Sequence, residues 1–263
     1  MLFTSKTQTG GLAMNVMDAF SKKPTEMRGY ERYLVRFRGF ITDPRHLQMM
    51  RCAYRLGKKL HRGQYRGDGV TYYFKHLRDV DEIITCELGI KDDWELNVAI
   101  WLHDSVEDGK ISLDKIQKIF GSEVAELVYF VTKDEEYRRD KSSYIRRLVQ
   151  SNKIRAIILK LADRLSNLRT LGFKSLGLQF DEELSPAQVE ELLAKIEAFQ
   201  IKQINETILE YLPLADHLVA LMEESPYWSS PARRHVGVHL RDAIKLQIRS
   251  FRIEYGDRII AES

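Results

Sequence analysis

The sequence is poor in cysteine and in long hydrophobic runs, and each shortage excludes a class of protein. Only two cysteines occur in 263 residues, Cys52 and Cys86, and neither belongs to a C-x-x-C pair. The chain therefore has no disulfide framework, it suits a reducing compartment, and any metal ion must be bound by histidines and carboxylates. No hydrophobic run approaches the roughly 18 residues of a membrane span, and the N-terminal stretch lacks the hydrophobic segment of a secretory signal. These absences predict a cytoplasmic protein without a membrane partner.

The sequence also has few prolines and a small net charge. The formal net charge of +3 is too small to indicate nucleic-acid binding by itself. Six prolines leave long stretches free to be helical, and hydrophobic residues recur with helical spacing along the chain. We therefore expect an all-α protein, a helical bundle with extra N- and C-terminal helices. The expected segments are a leader and helix over residues 1–44, a main domain over 45–215, and a helical extension over 216–263 packed on it.

One stretch, residues 98–108, changes from hydrophobic to strongly polar. It ends in four reactive side chains, those of His103, Asp104, Glu107 and Asp108. The spacing predicts one helix, with Asp92 in a capping signature at its start. On this helix His103 lies over Glu107, and Asp104 lies over Asp108. An adjacent His-Asp pair offers a metal ion one nitrogen and one oxygen ligand. The preceding hydrophobic run favours a cleft over the alternative, a solvated acidic helix end.

A second informative stretch, residues 154–170, is hydrophobic on most of a helix circumference but carries one polar stripe. Its members recur at helical spacing and are Lys160, Asp163, Asn167 and Thr170. A buried aspartate is costly unless it is paired or bound to a metal ion. Two interpretations of Asp163 are equally supported here. It is a metal ligand, or it forms an ion pair. The partner in that pair is Arg164, which is adjacent in sequence, or Lys160, which is one turn away.

A divalent metal site built on nitrogen and oxygen needs ligands from several elements, with positions left open for water and substrate. The candidate ligands are His76, the His103–Asp104 pair and Asp163, each on a predicted helix with a hydrophobic flank. His61 is a further candidate, but it begins a glycine-rich loop and is equally suited to ending the preceding helix.

Four stretches of the sequence together form a recognisable pattern. They are His61-Arg-Gly-Gln-Tyr-Arg66 with Gly69, Tyr72 and His76; Leu102-His-Asp-Ser-Val-Glu-Asp108; Phe120-Gly121 with Val131-Thr-Lys133; and Lys160-Leu-Ala-Asp-Arg-Leu-Ser-Asn-Leu-Arg-Thr170. Their order and spacing resemble the HD superfamily of metal-dependent phosphohydrolases. More narrowly, they resemble the hydrolase domain of RelA/SpoT homologues, which removes pyrophosphate from the 3′ position of the alarmone (p)ppGpp. The resemblance covers roughly residues 45–215 and implies a small, stand-alone alarmone hydrolase.

The resemblance implies a role for each matching residue. Metal ligation, usually of Mn(II), is implied for His76, His103, Asp104 and Asp163. Handling of the attacking water and its protons is implied for Glu107 and Asp108. Contacts with the nucleotide substrate are implied for Arg66, Asn167 and Thr170. Lys160 is one of several nearby cations suited to the phosphates. The oligomeric state is left open.

The sequence also departs from the family pattern. The segment from Arg66 to His76 is one residue longer, Val70-Thr71 replaces Glu-Pro, Leu77 replaces a proline, and Ser166 stands where histidine is usual. The metal ligands are unaffected, but the altered loop is the one expected to touch the base. We therefore expect weaker discrimination between guanine and adenine alarmones, or a preference for adenine.

Two other functions fit the same pattern. One is another HD nucleotide phosphohydrolase, a nucleotidase or an NADPH phosphatase, although such enzymes need only the aspartate of the polar stripe. The other is a non-catalytic nucleotide-binding HD protein, against which the intact Glu107 and Asp108 argue.

Overall fold

The computed structural model describes residues 29–67, 69, 71–133, 140–171 and 185–261, and this part of the chain is all-α, as predicted. The helices are α1 (Gly29–Val35), α2 (Pro44–Leu60), α3 (Tyr73–Glu82), α4 (Trp94–Ile100), α5 (Leu113–Phe120), α6 (Ser122–Val131), α7 (Lys141–Ser151), α8 (Ile154–Arg169), α9 (Pro186–Glu206), α10 (Leu212–Glu224) and α11 (His235–Tyr255). A π-helical turn follows α3 over Ile83–Glu87, and another joins α9 to α10 over Thr207–Tyr211. Within the described residues, no helix combines the length and the hydrophobicity that crossing a membrane requires.

The chain divides into two compact units. The first contains residues 1–61 and 89–129, and the second contains residues 62–88 and 130–263. The predicted leader, at the start of the 1–44 segment, lies largely outside the described residues. The segment boundaries expected after residues 44 and 215 stay predictions.

Side-chain caps explain where two of the helices begin. Ser185 caps α9 and forms a capping box with Gln188. The cap of α4 was predicted wrongly, because Asp93 and not Asp92 occupies that position. Asp93 directly precedes the first helical residue, and its carboxylate accepts a hydrogen bond from the Leu96 amide at 2.9 Å.

The first unit is organised around a cluster of buried aromatic rings. Trp101, directly after α4, contacts Tyr54 of α2 and Tyr33 of α1, with ring centroids 4.7 and 5.1 Å away. Tyr33 also stacks on Tyr54 at 5.4 Å. Such pairs stabilise beyond the hydrophobic area they bury. The cluster therefore fixes α1, α2 and the end of α4 together, immediately before His103.

Gly57 lets α2 approach the chain at Trp101 very closely. A Cβ atom added at Gly57 would lie 2.5 Å from the backbone carbonyl oxygen of Trp101, so a backbone would have to move. Glycine to alanine in a helix interior ordinarily stabilises by about 1 kcal/mol. For Gly57→Ala we expect the opposite sign, a loss of about 1–3 kcal/mol in the free energy of unfolding, measured with chemical denaturant.

Arg55→Ala is the matched control for this substitution, because Arg55 is exposed on the same helix. It should change the free energy of unfolding by less than about 0.5 kcal/mol. A Gly57→Ala protein as stable as the wild type would show that the close approach is not required.

The second unit is built around α8. This helix packs against α3, α7, α10 and α11, which explains why it is hydrophobic on most of its circumference. The first two residues of the polar stripe, Lys160 and Asp163, are thus buried in the unit, where each polar group needs a partner.

Candidate functional site

The polar stripe of α8 forms a connected set of side chains in the second unit. Asp163 is only 6% exposed, and its Oδ2 accepts a hydrogen bond from Lys160 Nζ at 2.9 Å. Its Oδ1 accepts a second bond from Asn167 Nδ2 at 2.7 Å. The spacing argument for one polar face on this helix is therefore confirmed. The implied role of Lys160 in substrate binding stays a prediction, and in this structure its ammonium neutralises Asp163.

Of the two cations considered for an ion pair with Asp163, Arg164 is not the partner. Arg164 extends from another side of α8, where its Nε donates to Thr207 Oγ1 at 2.8 Å and its Nη1 donates to Gln203 Oε1 at 2.9 Å. Neighbours in a helix point about 100° apart, so adjacency in sequence does not place them together. The lysine one turn away is the cation that pairs with Asp163.

His76 of α3 faces the same aspartate. Its side chain is buried, Nε2 lies 3.2 Å from Asp163 Oδ1, and Nδ1 lies 3.0 Å from the hydroxyl of Ser166. The serine that replaces the usual histidine thus orients the ring through the nitrogen that does not face Asp163. Sequence reasoning noted Ser166 as a departure but did not identify this contact.

Arg66 contacts the last two residues of the polar stripe. Its guanidinium Nη2 donates to Asn167 Oδ1 at 2.6 Å and lies 3.4 Å from Thr170 Oγ1. Three residues assigned to the nucleotide by resemblance are thereby brought together within the second unit.

The loop that carries Arg66 is a short hairpin. The Arg66 amide donates to the Thr71 carbonyl at 2.8 Å, and Gly69 has a φ of +70° that favours glycine. Tyr65 and Tyr72 pair across its base, with ring centroids 4.7 Å apart. Val70, one of the substituted residues, lies outside the described part of the chain.

In the first unit, the expected helix through the His-Asp motif is wrong, because α4 ends at Ile100 and residues 101–110 form successive turns. Side chains compete for the carbonyls that a longer helix would use. His103 Nδ1 donates to the Ile100 carbonyl at 2.8 Å, and Ser105 Oγ donates to the Leu102 carbonyl at 2.6 Å. The amide of Ser105 bonds to the same Leu102 carbonyl, three residues back, as in a tight turn.

This turn fixes the tautomer of His103. The Ile100 carbonyl can only accept, so Nδ1 of His103 carries a proton, and in the neutral ring Nε2 has the lone pair. That nitrogen lies 3.1 Å from Asp104 Oδ2, which is also an acceptor. Two acceptors at this distance require a proton or a cation. A histidine whose Nδ1 donates to a carbonyl while Nε2 faces a carboxylate has the donor arrangement of a metal ligand.

The two acidic residues of the motif differ in their surroundings. Glu107 is half-buried, whereas Asp108 is more exposed and its Oδ2 accepts from Lys110 Nζ at 3.1 Å. Lys110 also lies 3.0 Å from Nδ1 of the buried His61. Because its Nδ1 is occupied by the Lys110 ammonium and it stands at the C-cap of α2, His61 is better explained as the residue that ends that helix. Sequence reasoning missed Lys110, for which no motif gave a signal.

Comparison with known proteins shows what this part of the chain is similar to. Residues 53–183 match the family model described as HD domain. The guanosine-3′,5′-bis(diphosphate) 3′-pyrophosphohydrolase of Spiroplasma citri is 34% identical over 151 residues, which are 55% of this chain and 20% of that protein. The guanosine-3′,5′-bis(diphosphate) 3′-pyrophosphohydrolase MESH1 of Drosophila melanogaster is 40% identical over 114 residues, 42% of this chain and 63% of that protein. The chain thus spans less than two thirds of the length of either relative.

A solved structure described as a metazoan orthologue of SpoT that hydrolyses ppGpp is also similar. It is 23% identical, with a TM-score of 0.46, over 79% of this chain and 96% of that one. An HD domain implies a divalent metal ion held by histidine and aspartate. Each unit carries an imidazole–carboxylate pair, His103 with Asp104 in the first and His76 with Asp163 in the second, and each pair offers the kind of nitrogen and oxygen ligands that such an ion takes.

Proposed function

Because the chain carries an HD domain homologous to those of the (p)ppGpp hydrolases, we propose that it is a metal-dependent 3′-pyrophosphohydrolase of alarmone nucleotides. It converts (p)ppGpp, (p)ppApp or both to the 5′-nucleotide and pyrophosphate, in the cytoplasm. The observation that carries this proposal is the bonded series from His76 through Asp163 and Asn167 to Arg66. A simple HD nucleotidase needs the aspartate but not the residues that extend the series toward a nucleotide.

The proposed metal ligands are His76, His103, Asp104 and Asp163, and the proposed ion is Mn(II). Support comes from the donor atoms of each pair and from the position of all four residues in the family motif. When bound, a divalent ion lowers the pKa of water and polarises a phosphoryl oxygen. Lys160 balances the charge of Asp163 and fixes one of its oxygens, which leaves Oδ1 directed toward His76.

The remaining polar residues act on the substrate and its protons. Glu107 and Asp108 orient the attacking water and accept its proton, as positioned carboxylates do in general acid–base catalysis. Arg66, Asn167 and Thr170 bind the sugar and base. Because Arg66 already donates to Asn167, the guanidinium is held in place before a nucleotide arrives, and less conformational entropy is lost on binding.

Metal content tests the ligand assignment. The purified protein should hold about one divalent ion per chain, and His103→Ala and Asp163→Ala should each lose it. His46→Ala is the control, because His46 stacks on Trp94 with ring centroids 4.4 Å apart and belongs to no motif. An active wild-type protein free of metal by elemental analysis contradicts the assignment.

The same preparation, loaded with Mn(II), tests the substrate. Incubation with ppGpp, pppGpp, ppApp and NADPH should release pyrophosphate from the alarmones. Phosphate released from NADPH alone would identify the alternative phosphatase, and binding without turnover would identify a non-catalytic protein.

Since the 66–76 segment is lengthened, we expect kcat/KM for ppGpp and ppApp to differ by less than about 150-fold, the value of one buried hydrogen bond. A preference for ppGpp above about a thousandfold contradicts the altered base contact.

A further inference from the structure

The backbone after Asp108 turns back on itself. Gly109 has a φ of +68°, and its amide donates to the Val106 carbonyl at 2.9 Å. The amide of Lys110 then donates to the Ser105 carbonyl, also at 2.9 Å. A positive φ is readily adopted only by glycine, so Gly109 makes this reversal accessible. The reversal brings the side chain of Lys110 beside that of Asp108.

The Lys110 ammonium bridges two side chains of the first unit. Its Nζ lies 3.0 Å from His61 Nδ1 and 3.1 Å from Asp108 Oδ2. The His61 nitrogen and the Asp108 oxygen are themselves 3.8 Å apart. An ammonium group only donates hydrogen bonds. Nδ1 of His61 must therefore accept, which makes the ring neutral with its proton on Nε2.

His61 is a rigid anchor for this bridge. Its side chain is fully buried, and its backbone amide donates to the Gly57 carbonyl at 3.1 Å at the end of α2. Lys110 and Asp108 are partly exposed, with side-chain exposures of 24% and 29%. A partly exposed carboxylate is thus linked through one lysine to a buried residue at the end of α2.

We propose that Lys110 is a positioning residue for Asp108: bridged to His61, it holds the carboxylate in the orientation needed to accept the proton of the attacking water. This inference rests on the proposed hydrolase function. Catalysis demands a carboxylate within hydrogen-bond reach of the water, and a side chain free to rotate meets that demand only part of the time. Lys110 itself need not touch the substrate.

Kinetics of the Mn(II)-loaded protein test the inference. Lys110→Met should lower kcat for the best alarmone by about 10-fold, with KM within about twofold of the wild type, as for other supporting residues of a site. Lys118→Met is the matched control, because Lys118 is exposed on α5 in the same unit and should leave kcat unchanged.

A double substitution separates positioning from general stability. If Lys110 acts through Asp108, adding Lys110→Met to Asp108→Asn should cause no further loss of kcat. Multiplied losses in the double variant would overturn the inference. So would an unchanged kcat in Lys110→Met, or a kcat loss fully explained by a fall in Tm.

A spectroscopic readout keeps the inference independent of the reaction. In protein labelled with ¹⁵N-histidine at pH 7.5, the His61 signals, assigned by their loss in His61→Gln, should show the Nε2–H tautomer. The Lys110→Met substitution should shift the Nδ1 signal. An Nδ1–H tautomer or an imidazolium in the wild type overturns the bridge, whereas a wild type that hydrolyses no alarmone overturns only the proposed function.

Discussion

The Arg164→Ala protein should lose about 3–5 kcal/mol of its free energy of unfolding, measured by denaturant titration. Arg164 is buried in α8 and donates to Thr207 Oγ1, to Gln203 Oε1 and to the Gln203 carbonyl. The guanidinium also lies 4.5 Å from the centroid of the buried Tyr211 ring. Truncation removes several charge-assisted bonds at once and leaves their acceptors in a site that water reaches poorly.

The planar shape of the guanidinium is part of the expected effect. Arg164→Lys keeps the charge but supplies one compact ammonium in place of a fork, so it should recover only a part of the lost stability. Arg169→Ala is the control on the same helix. Arg169 pairs with Glu87 through two bonds of 2.6 and 2.9 Å and lowers the pKa of that carboxyl, but both side chains are about one third exposed.

For this exposed pair we expect a loss of at most about 1 kcal/mol. Equal losses for Arg164→Ala and Arg169→Ala would show that the buried arginine does not hold α8 to the π-helical turn of Thr207–Tyr211.

The sequence predicts α8 and its polar face well because one physical cause determines both. A helix surrounded by others must be hydrophobic nearly all round, and the residues of the polar stripe recur with the helical period. The sequence also explains α2, since Pro44 suits the first turn and the buried residues of this helix are regularly spaced.

The end of α4 at Ile100 was not predictable from periodicity. No glycine or proline marks it, and the residues that follow have ordinary helical spacing. The side chains of His103 and Ser105 occupy the Ile100 and Leu102 carbonyls that a continued helix would use, and the hydrophobic spacing gives no sign of these bonds. The partners of Arg164 were missed for a related reason, because Gln203 and Thr207 lie about forty residues further along the chain.

Glu107→Gln and Asp108→Asn should each lower kcat by about 100-fold or more while metal content stays unchanged. Both substitutions keep the size and most of the hydrogen-bonding capacity of the side chain but remove a carboxylate that can accept a proton. A factor of 100 corresponds to about 2.7 kcal/mol of transition-state stabilisation. Asp114→Asn is the matched control, because Asp114 is exposed on α5 in the same unit and should leave kcat unchanged.

The surroundings of the two carboxylates allow their effects to be separated. Asp108 is held by Lys110, and the amide that replaces it can still accept from that ammonium through its oxygen, so the turn of residues 101–110 should keep its fold in Asp108→Asn. Single-turnover measurements would then report the chemical step alone for both variants. Near-normal single-turnover rates in both would mean that the acidic pair is structural. A rise in KM with kcat preserved would move the pair from proton transfer to substrate binding, because only an interaction made in the transition state lowers kcat and leaves KM unchanged.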